Sequence, residues 1–565
     1  MTLQVSIIGI DGSGKSTLAA ALAAVVAAEC GLVAGSAVAN QFWIRAPELD
    51  LMAPAFHPQG YAISARLNTL FRGLTRILVD NRALYPAAKV TQMLLQDNAA
   101  VKLSRRYGVD VMISDGNLFL SGAGRAFNYR GHGAGPPSVD DVDNAFRHLL
   151  QGAPLPSESG RHLPDLKAAG ALAIAARVGR LQGIWIPDLA LFLDLTPEAA
   201  MARVRARGAR VDRHENPADL ATAREGYVRV LEVVERSKGD ASTQVLEVAS
   251  LRPGEVVAAA AELLKPHLPH ESEKGMRGGA LHEALSRQSL ARRVLSYRYV
   301  WRYLLRRFFE GAWREPLFLF SRPGRVFLKD GYSAGVMRLI YDQRSNAPLL
   351  DRVFYGYPLH RAVRDRLAIL ERRLESELRA RMAGGGSLCI FTAPSGFAYD
   401  VMRPLQRLKE EMPEAVARVT LVAADLDPAG DLKPELEAAA RAIGCTFTFL
   451  RGDLTAASFR TECGRFGPFR MALFVGLSSW LPKPPFLDHL RWLATQVSPD
   501  GVLVTDVFTP AGYAVGGAAM GYRANYYPPE LMRTLLDYCG FDGLTATVES
   551  GRDRINHVVV AARRT

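Results

Sequence analysis

The sequence predicts an α/β protein with two doubly wound sheets. Three observations predict it. The run Gly9-Ile10-Asp11-Gly12-Ser13-Gly14-Lys15-Ser16-Thr17 fits G-x-x-x-x-G-K-[ST] and stands between an apolar run and an alanine-rich helical stretch. Apolar strands alternate with helices from 388 to 562. A polar, then strongly basic stretch separates the two halves. At 565 residues the chain exceeds a single core.

The apolar run Val5-Ser6-Ile7-Ile8 reads as a buried strand, and 18–28 as the helix that leaves the loop. Glycines let the loop backbone curl so that its N–H groups converge on phosphate oxygens, and the helix N-terminus adds positive potential. Gly9, Gly12, Ser13, Gly14, Lys15, Ser16 and Thr17 are therefore the candidate phosphate-binding residues. Lys15 would reach the β/γ-phosphates of ATP, and the Ser16 hydroxyl would ligate Mg2+. A short second strand is expected at 37–39, and helices at 62–80 and 87–106. The strand at 109–115 ends in Asp115, placed to hold Mg2+ or its water shell; the alternative is a surface loop acid. Residues 121–170 read as a long loop with a helix near 139–151. After the strand ending at Asp194, Thr196-Pro197-Glu198 starts a helix. It runs into Arg203, Arg205, Arg207, Arg210 and Arg213, dense enough to close over a triphosphate; the bland alternative is a solvated basic helix end.

The segments IIGIDGSGKSTLAAALA and PDLALFLDLTPEAAMARVRARG, followed by DRHE and REGY, resemble a thymidylate kinase over roughly residues 3–265. The resemblance implies a nucleoside-monophosphate-kinase-like P-loop sheet. The implied reaction moves the γ-phosphoryl of ATP to a nucleoside monophosphate or related small acceptor. It implies that Asp11 meets the acceptor sugar and that arginines among Arg205, Arg207, Arg210 and Arg213 close on the phosphates. Where that family carries Asp-Arg on the helix before the third strand, this chain has Asp97-Asn98. Where the family carries Asp-Arg-Tyr after that strand, it has Asp115-Gly116-Asn117. Glycine and asparagine do not replace a bidentate arginine. Arg45, Arg66, Arg72, Arg76 and Arg125 are candidates to supply the charge, and the phosphoryl acceptor stays open.

Composition is that of an ordinary globular chain, 48% apolar and 22% charged. The net charge of +12 is concentrated: residues 276–329 hold 12 Lys/Arg against Glu283, Glu310 and Glu315. Within 287–314 those arginines interleave with seven aromatic residues. A bridge at 266–315 is expected. It reads as a helix docking one domain on the other, as peripheral contact with an anionic membrane, or as nucleic-acid contact. No nucleic-acid fold signature accompanies it. No apolar run is long enough to span a bilayer, and no signal peptide is expected, since the sequence starts almost directly with the first strand. Five scattered cysteines without a C-x-x-C pair fit a reducing cytoplasm.

In the C-terminal half, strands are read near 388–391, 419–425, 447–450, 471–475, 501–506, 544–549 and 557–562. A charged helix spans 359–382. Ligands on such a sheet bind beyond the strand C-termini. There stand the turn Ala393-Pro394-Ser395-Gly396-Phe397, the acid Asp425 and the pair Gly452-Asp453. These features and VSPDGVLVTDVF resemble a class I S-adenosylmethionine-dependent methyltransferase, a Rossmann-like sheet, over roughly 316–565 with an N-terminal cap. By that resemblance Gly396 approaches the methionine part of the donor, Asp425 binds ribose and Asp453 meets the adenine amine. Of the usual glycine pattern in the first turn only Gly396 is present. A nucleotide-binding sheet without methyl transfer is the alternative. Tyr399, Asp400, Trp480, Tyr513, Tyr522, Tyr526 and Tyr527 are candidates for the acceptor pocket, and 509–528 for a lid over it.

The expectation is a bifunctional transferase using ATP, Mg2+ and S-adenosylmethionine on small-molecule acceptors, one of them a nucleotide by resemblance. A regulatory ATP-binding protein coupled to a methyltransferase is the alternative. A homodimer is compatible with the sequence.

Overall fold

Val5, Ile7 and Ile8 are buried because their strand, β1 (Leu3–Ile8), lies inside a seven-stranded sheet, in a computed structural model. The structure describes residues 2–38, 41–52, 84–121, 186–206, 215–269, 317–343, 347–512 and 524–564, with a few isolated positions between 70 and 154. The chain forms two units, Met1–Tyr299 and Val300–Thr565.

In the first unit, α1 (Lys15–Glu29) follows β1. It is buried along most of its length from Leu18 to Ala28, since the sheet lies on one side and the helix 253–264 on another. Next come β2 (Ala34–Val38), β3 (Gln41–Ala46), β4 (Leu49–Met52), α2 (Tyr85–Tyr107) and β5 (Val111–Asp115). They are followed by β6 (Leu189–Asp194), α3 (Pro197–Ala206), α4 (Pro217–Lys238), β7 (Thr243–Glu247) and α5 (Pro253–Leu264). The sheet order is β4-β3-β2-β5-β1-β6-β7. Strands β2, β5, β1, β6 and β7 are parallel, and β3 and β4 fold back antiparallel at the edge. The short strand expected at 37–39 is thus corrected to Ala34–Val38. The stretch after it is itself a strand. Ala34, Gly35 and Ser36 are weak strand formers alone, and pairing with β5 from Ala34↔Val111 to Ala37↔Ser114 overrides that preference.

The second unit opens with a helical cap: α6 (Arg322–Asp330), α7 (Ala334–Tyr341), α8 (Leu349–Tyr355) and α9 (Pro358–Ala383). In α9 the residues Leu359, Val363, Leu367, Leu370, Leu374, Leu378 and Met382 recur every three or four positions and form its buried face. The sheet elements follow: β8 (Leu388–Thr392), α10 (Tyr399–Glu411), α11 (Pro413–Ala417), β9 (Val419–Asp425), α12 (Leu432–Ile443), β10 (Thr446–Arg451), α13 (Ala457–Gly464) and β11 (Phe469–Phe474). The unit ends with α14 (Lys483–Gln496), β12 (Val497–Phe508), α15 (Pro529–Tyr538), β13 (Phe541–Ser550) and β14 (Asn556–Arg563). The sheet order is β10-β9-β8-β11-β12-β14-β13, with β14 antiparallel to both neighbours. Its core joins Leu370, Leu374 and Leu378 of α9 to Ile390, Leu421, Leu473 and Val504 of the sheet.

The helix expected at 62–80, the loop at 121–170, Arg207, Arg210, Arg213 and the basic stretch 287–314 fall wholly or mostly outside the described residues. Among the described residues no helix is long and apolar enough to cross a membrane.

Candidate functional site

Each sheet has a topological switch point, and each switch point carries a cluster of the residues singled out above. In the first unit, β1 delivers the loop 9–14 between β5 and β6. Gly12 could not be another residue without movement: its φ is +90°, and a Cβ there would stand 2.7 Å from the Ala200 carbonyl of α3. Gly14 caps α1 with no side-chain hydrogen bond, so no capping side chain occupies that helix N-terminus. The Ser13 hydroxyl is buried with no partner among the described residues. The register Ile7↔Asp115 sets Asp115 beside the loop, and Ser16 Oγ donates a short hydrogen bond to its Oδ2. Lys15 Nζ donates to the Ile10 carbonyl at 2.8 Å and lies 3.5 Å from Asp11 Oδ1. Lys15, Ser16, Asp11 and Asp115 are therefore together, and the hydroxyl–carboxylate pair is an oxygen set suited to a hard cation.

The acceptor side differs from what an arginine-bearing site would show. Asp97 accepts from the Leu118 N–H at 2.7 Å and from the Asn117 amide at 3.3 Å. Burial pushes its pKa up to about 7, and the Leu118 hydrogen bond opposes the rise. Asn117 in turn accepts from the N–H groups of Phe119 and Leu120. These two residues hold a helical turn. Arg45, a candidate for the missing charge, is fully buried and paired with Asp50 at 2.7 Å, above the Trp43 ring. Its charge is compensated inside the β3–β4 hairpin, which corrects that expectation. Arg66, Arg72, Arg76 and Arg125 lie outside the described residues. Of the lid arginines, Arg205 is exposed at the end of α3, while Arg203 donates to the Val248 carbonyl at 2.6 Å.

In the second unit a cavity of about 450 Å3 opens at the C-terminal ends of β8, β9 and β10. Gly396, Asp425 and Asp453 all line it. The Gly396 N–H donates to Asp425 Oδ2 at 2.8 Å, and Asp425 Oδ1 accepts from the Asp427 N–H at 3.2 Å. The φ of +46° at Gly396 is left-handed, and no atom stands within 4 Å of where a Cβ would be. Asp453 Oδ1 accepts from the Thr455 N–H at 2.8 Å. Leu426 and Leu454, each directly after one of the acids, give the cavity apolar walls. The sequence reading passed over both leucines; the Asp-Leu doublets were the available signal.

The opposite wall comes from the cap. Met337, Arg338 and Tyr341 of α7 and Arg366 of α9 face Tyr399 and Asp400 of α10. Arg366 Nη1 donates to Asp506 Oδ2 at 2.7 Å and Nη2 to the Tyr341 hydroxyl at 2.9 Å. Burial acts to lower the Arg366 pKa, but Tyr341 and Asp506 outweigh it and hold the guanidinium charged. Burial pushes Asp400 up to about 6, against the pull of Arg366. Arg338 forms a two-pronged ion pair with Glu435, donates to the Tyr399 hydroxyl and lies 4.3 Å over the Phe397 ring. Arg366 was hidden in sequence among the many arginines of α9. Trp480 lines the cavity as expected. Tyr526 and Tyr527 do not; they stack behind it on Phe508 and Phe486. Tyr513 and Tyr522 lie outside the described residues. Among the described residues no group of three or more His, Cys, Asp or Glu is placed to hold a metal ion.

No protein-family model matches the sequence, and no curated protein matches it. Solved structures similar to it include a possible exported protein from Bordetella parapertussis, 20% identical over 44% of this chain and 85% of that chain, with a TM-score of 0.36. An O-methyltransferase family protein from Burkholderia thailandensis is 12% identical over 38% of this chain and 63% of that chain, with a TM-score of 0.28. A 1,6-didemethyltoxoflavin-N1-methyltransferase from the same organism, with bound 1,6-didemethyltoxoflavin and S-adenosylhomocysteine, is 20% identical over 35% of this chain and 79% of that chain, with a TM-score of 0.24. Several of the similar structures are methyltransferases by name. At these identities and TM-scores, the functional reading rests on the geometry of the two sites.

Proposed function

We propose that the chain is a bifunctional transferase whose second unit uses S-adenosylmethionine to methylate a small acceptor. The observation that carries this reading is the convergence of Gly396, Asp425 and Asp453 on one cavity at the strand ends. Asp425 is suited to the ribose hydroxyls and Asp453 to an adenine amine, with Leu426 and Leu454 against the ring. Gly396 leaves room for the methionine part. When bound, the donor supplies an electrophilic methyl group on sulfur. The residues on the cap side orient the acceptor against it, and such positioning supplies much of the rate in a transfer of this kind.

The first unit, on this reading, holds ATP and Mg2+ and passes a phosphoryl group to a nucleoside monophosphate or related acceptor. The Ser16–Asp115 pair and the uncapped N-terminus of α1 support the metal and phosphate sites. A second reading, an ATP-dependent switch without nucleotide turnover, is favoured by one observation: Asn117 and Asp97 are engaged in holding a helical turn. The five free cysteines support a reducing, cytoplasmic setting.

ADP release with ATP and Mg2+ across a panel of nucleoside monophosphates, with Lys15→Ala as blank, separates the two readings of the first unit. Stimulation by one nucleotide supports the kinase, and tight ATP binding with no stimulation supports the switch. Calorimetric titration with S-adenosylhomocysteine tests the second unit. No heat from wild-type protein at millimolar ligand would sink the methyltransferase reading.

A further inference from the structure

Five of the thirteen large apolar side chains exposed among the described residues lie between 319 and 350: Leu319, Phe320, Leu328, Leu349 and Leu350. Leu349 is 78% exposed and Phe320 65%. The inner side of this cap segment is anchored. Phe318 is fully buried, edge-on to Phe327, Phe354 and Tyr357 and stacked on His360. With Phe318 held inward, Leu319 and Phe320 are left outside. Two stretches of chain meet there, because the Arg322 N–H donates to Asp351 Oδ1 at 3.0 Å. The two exposed pairs, Leu319 with Phe320 and Leu349 with Leu350, therefore flank one contact between the two stretches. An exposed apolar patch marks an interaction site.

The surrounding charge says what covers it. Arg322, Arg325 and Lys329 of α6 are exposed beside the patch. The acids on α6 and α8 are Asp330, which stands next to Lys329 at the far end of α6, and Asp351, already engaged by the Arg322 N–H. In sequence these residues follow the basic, aromatic stretch 287–314. Aliphatic and aromatic groups for the acyl boundary, ringed by cations for anionic headgroups, are the two components of peripheral membrane attachment. Nucleic acid has use for the cations but none for exposed leucines.

We propose that the cap of the second unit docks on an anionic lipid surface through Leu319, Phe320, Leu349 and Leu350, with Arg322 and Arg325 reading the headgroups. The full chain is floated with vesicles of phosphatidylcholine and with vesicles in which about one third is phosphatidylglycerol. Wild-type protein is expected to float with the anionic vesicles and to be released by high salt. The pair Phe320→Ser with Leu349→Ser is expected to cut the bound fraction about tenfold or more, and Arg322→Glu with Arg325→Glu to abolish the preference for anionic lipid. Both pairs lie on the surface, and unchanged unfolding midpoints check that they fold. Three results overturn the proposal. The first is no flotation of wild-type protein with anionic vesicles. The second is flotation that the serine pair leaves unchanged. The third is a vesicle-free dimer that the serine pair converts to monomers while wild-type protein fails to float, which assigns the patch to a second copy.

Discussion

Arg366 of α9 and Asp506 of β12 are joined by a 2.7 Å ion pair with both side chains about 95% buried, which ties the cap to the sheet at the floor of the cavity. Asp506 also accepts from the Gly476 N–H, the Ser478 hydroxyl and the Asn556 amide. Removing one partner of a buried pair leaves the other charge uncompensated, at a cost of roughly 3–5 kcal/mol. Arg366→Met is therefore expected to destabilise the second unit by about that amount in urea unfolding. Asp506→Leu should cost more, since it strands two further donors, the Gly476 N–H and the Asn556 amide. A loss below about 1 kcal/mol for Arg366→Met would show that the pair is hydrated in solution.

The Ser16–Asp115 contact predicts coupling. Ser16→Ala and Asp115→Asn should each weaken Mg2+-dependent ATP binding by about tenfold or more, and the double variant should be little worse than either alone. Full additivity in calorimetry would mean that the two residues serve separate functions.

Donor affinity should depend on the acids at the strand ends. Asp425→Ala removes the carboxylate proposed to accept from ribose and frees the Gly396 N–H, so binding of S-adenosylhomocysteine should fall by roughly 10- to 100-fold. Leu426→Ala, at an exposed wall, should cost less than about tenfold. Equal losses would point to a general collapse of the turn, which hydrogen exchange at 394–398 would reveal.

Acid should unfold the second unit early, through two histidines. Burial lowers His360 and His489 to about 3, against about 6.5 for an unfolded histidine. The unfolded chain then binds protons that the folded one refuses, so the stability is whole above about pH 6.5 and is lost as pH falls toward 3. Each histidine contributes up to about 5 kcal/mol to this loss. His360 Nδ1 donates to the Phe354 carbonyl at 2.7 Å, whereas neither ring nitrogen of His489, lying between Phe474 and Trp492, has a partner among the described residues. His489→Phe should raise the unfolding free energy at pH 7.5 by about 1–2 kcal/mol, and by more at pH 5. A variant no more stable at pH 5 than wild-type protein would refute the assignment.

Much of each candidate site was legible because its residues are local in the chain. The glycine loop, with Lys15 and Ser16, is one continuous motif. Asp115, Asp425 and Asp453 each end or closely follow an apolar run. The β3–β4 hairpin was not legible, because Gln41 to Met52 lack a clear alternation and owe their strand state to their neighbours. Arg45 read as a spare cation until its partner Asp50, five residues on, appeared across the hairpin. The cap side of the cavity was also hidden. Tyr341, Arg366 and Asp506 span 165 positions in sequence, and no spacing rule links them.

The sequence by itself determined the alternation of strands and helices, the glycine loop after the first strand and the acids that end strands. Those follow from periodicity and from backbone demands that act over a few residues. Tertiary structure alone decided which acids share a cavity, which arginines are already neutralised and which cap surface stays bare. Burial and ion pairing depend on distances between residues remote in the chain, and only the packed sheet brings them together.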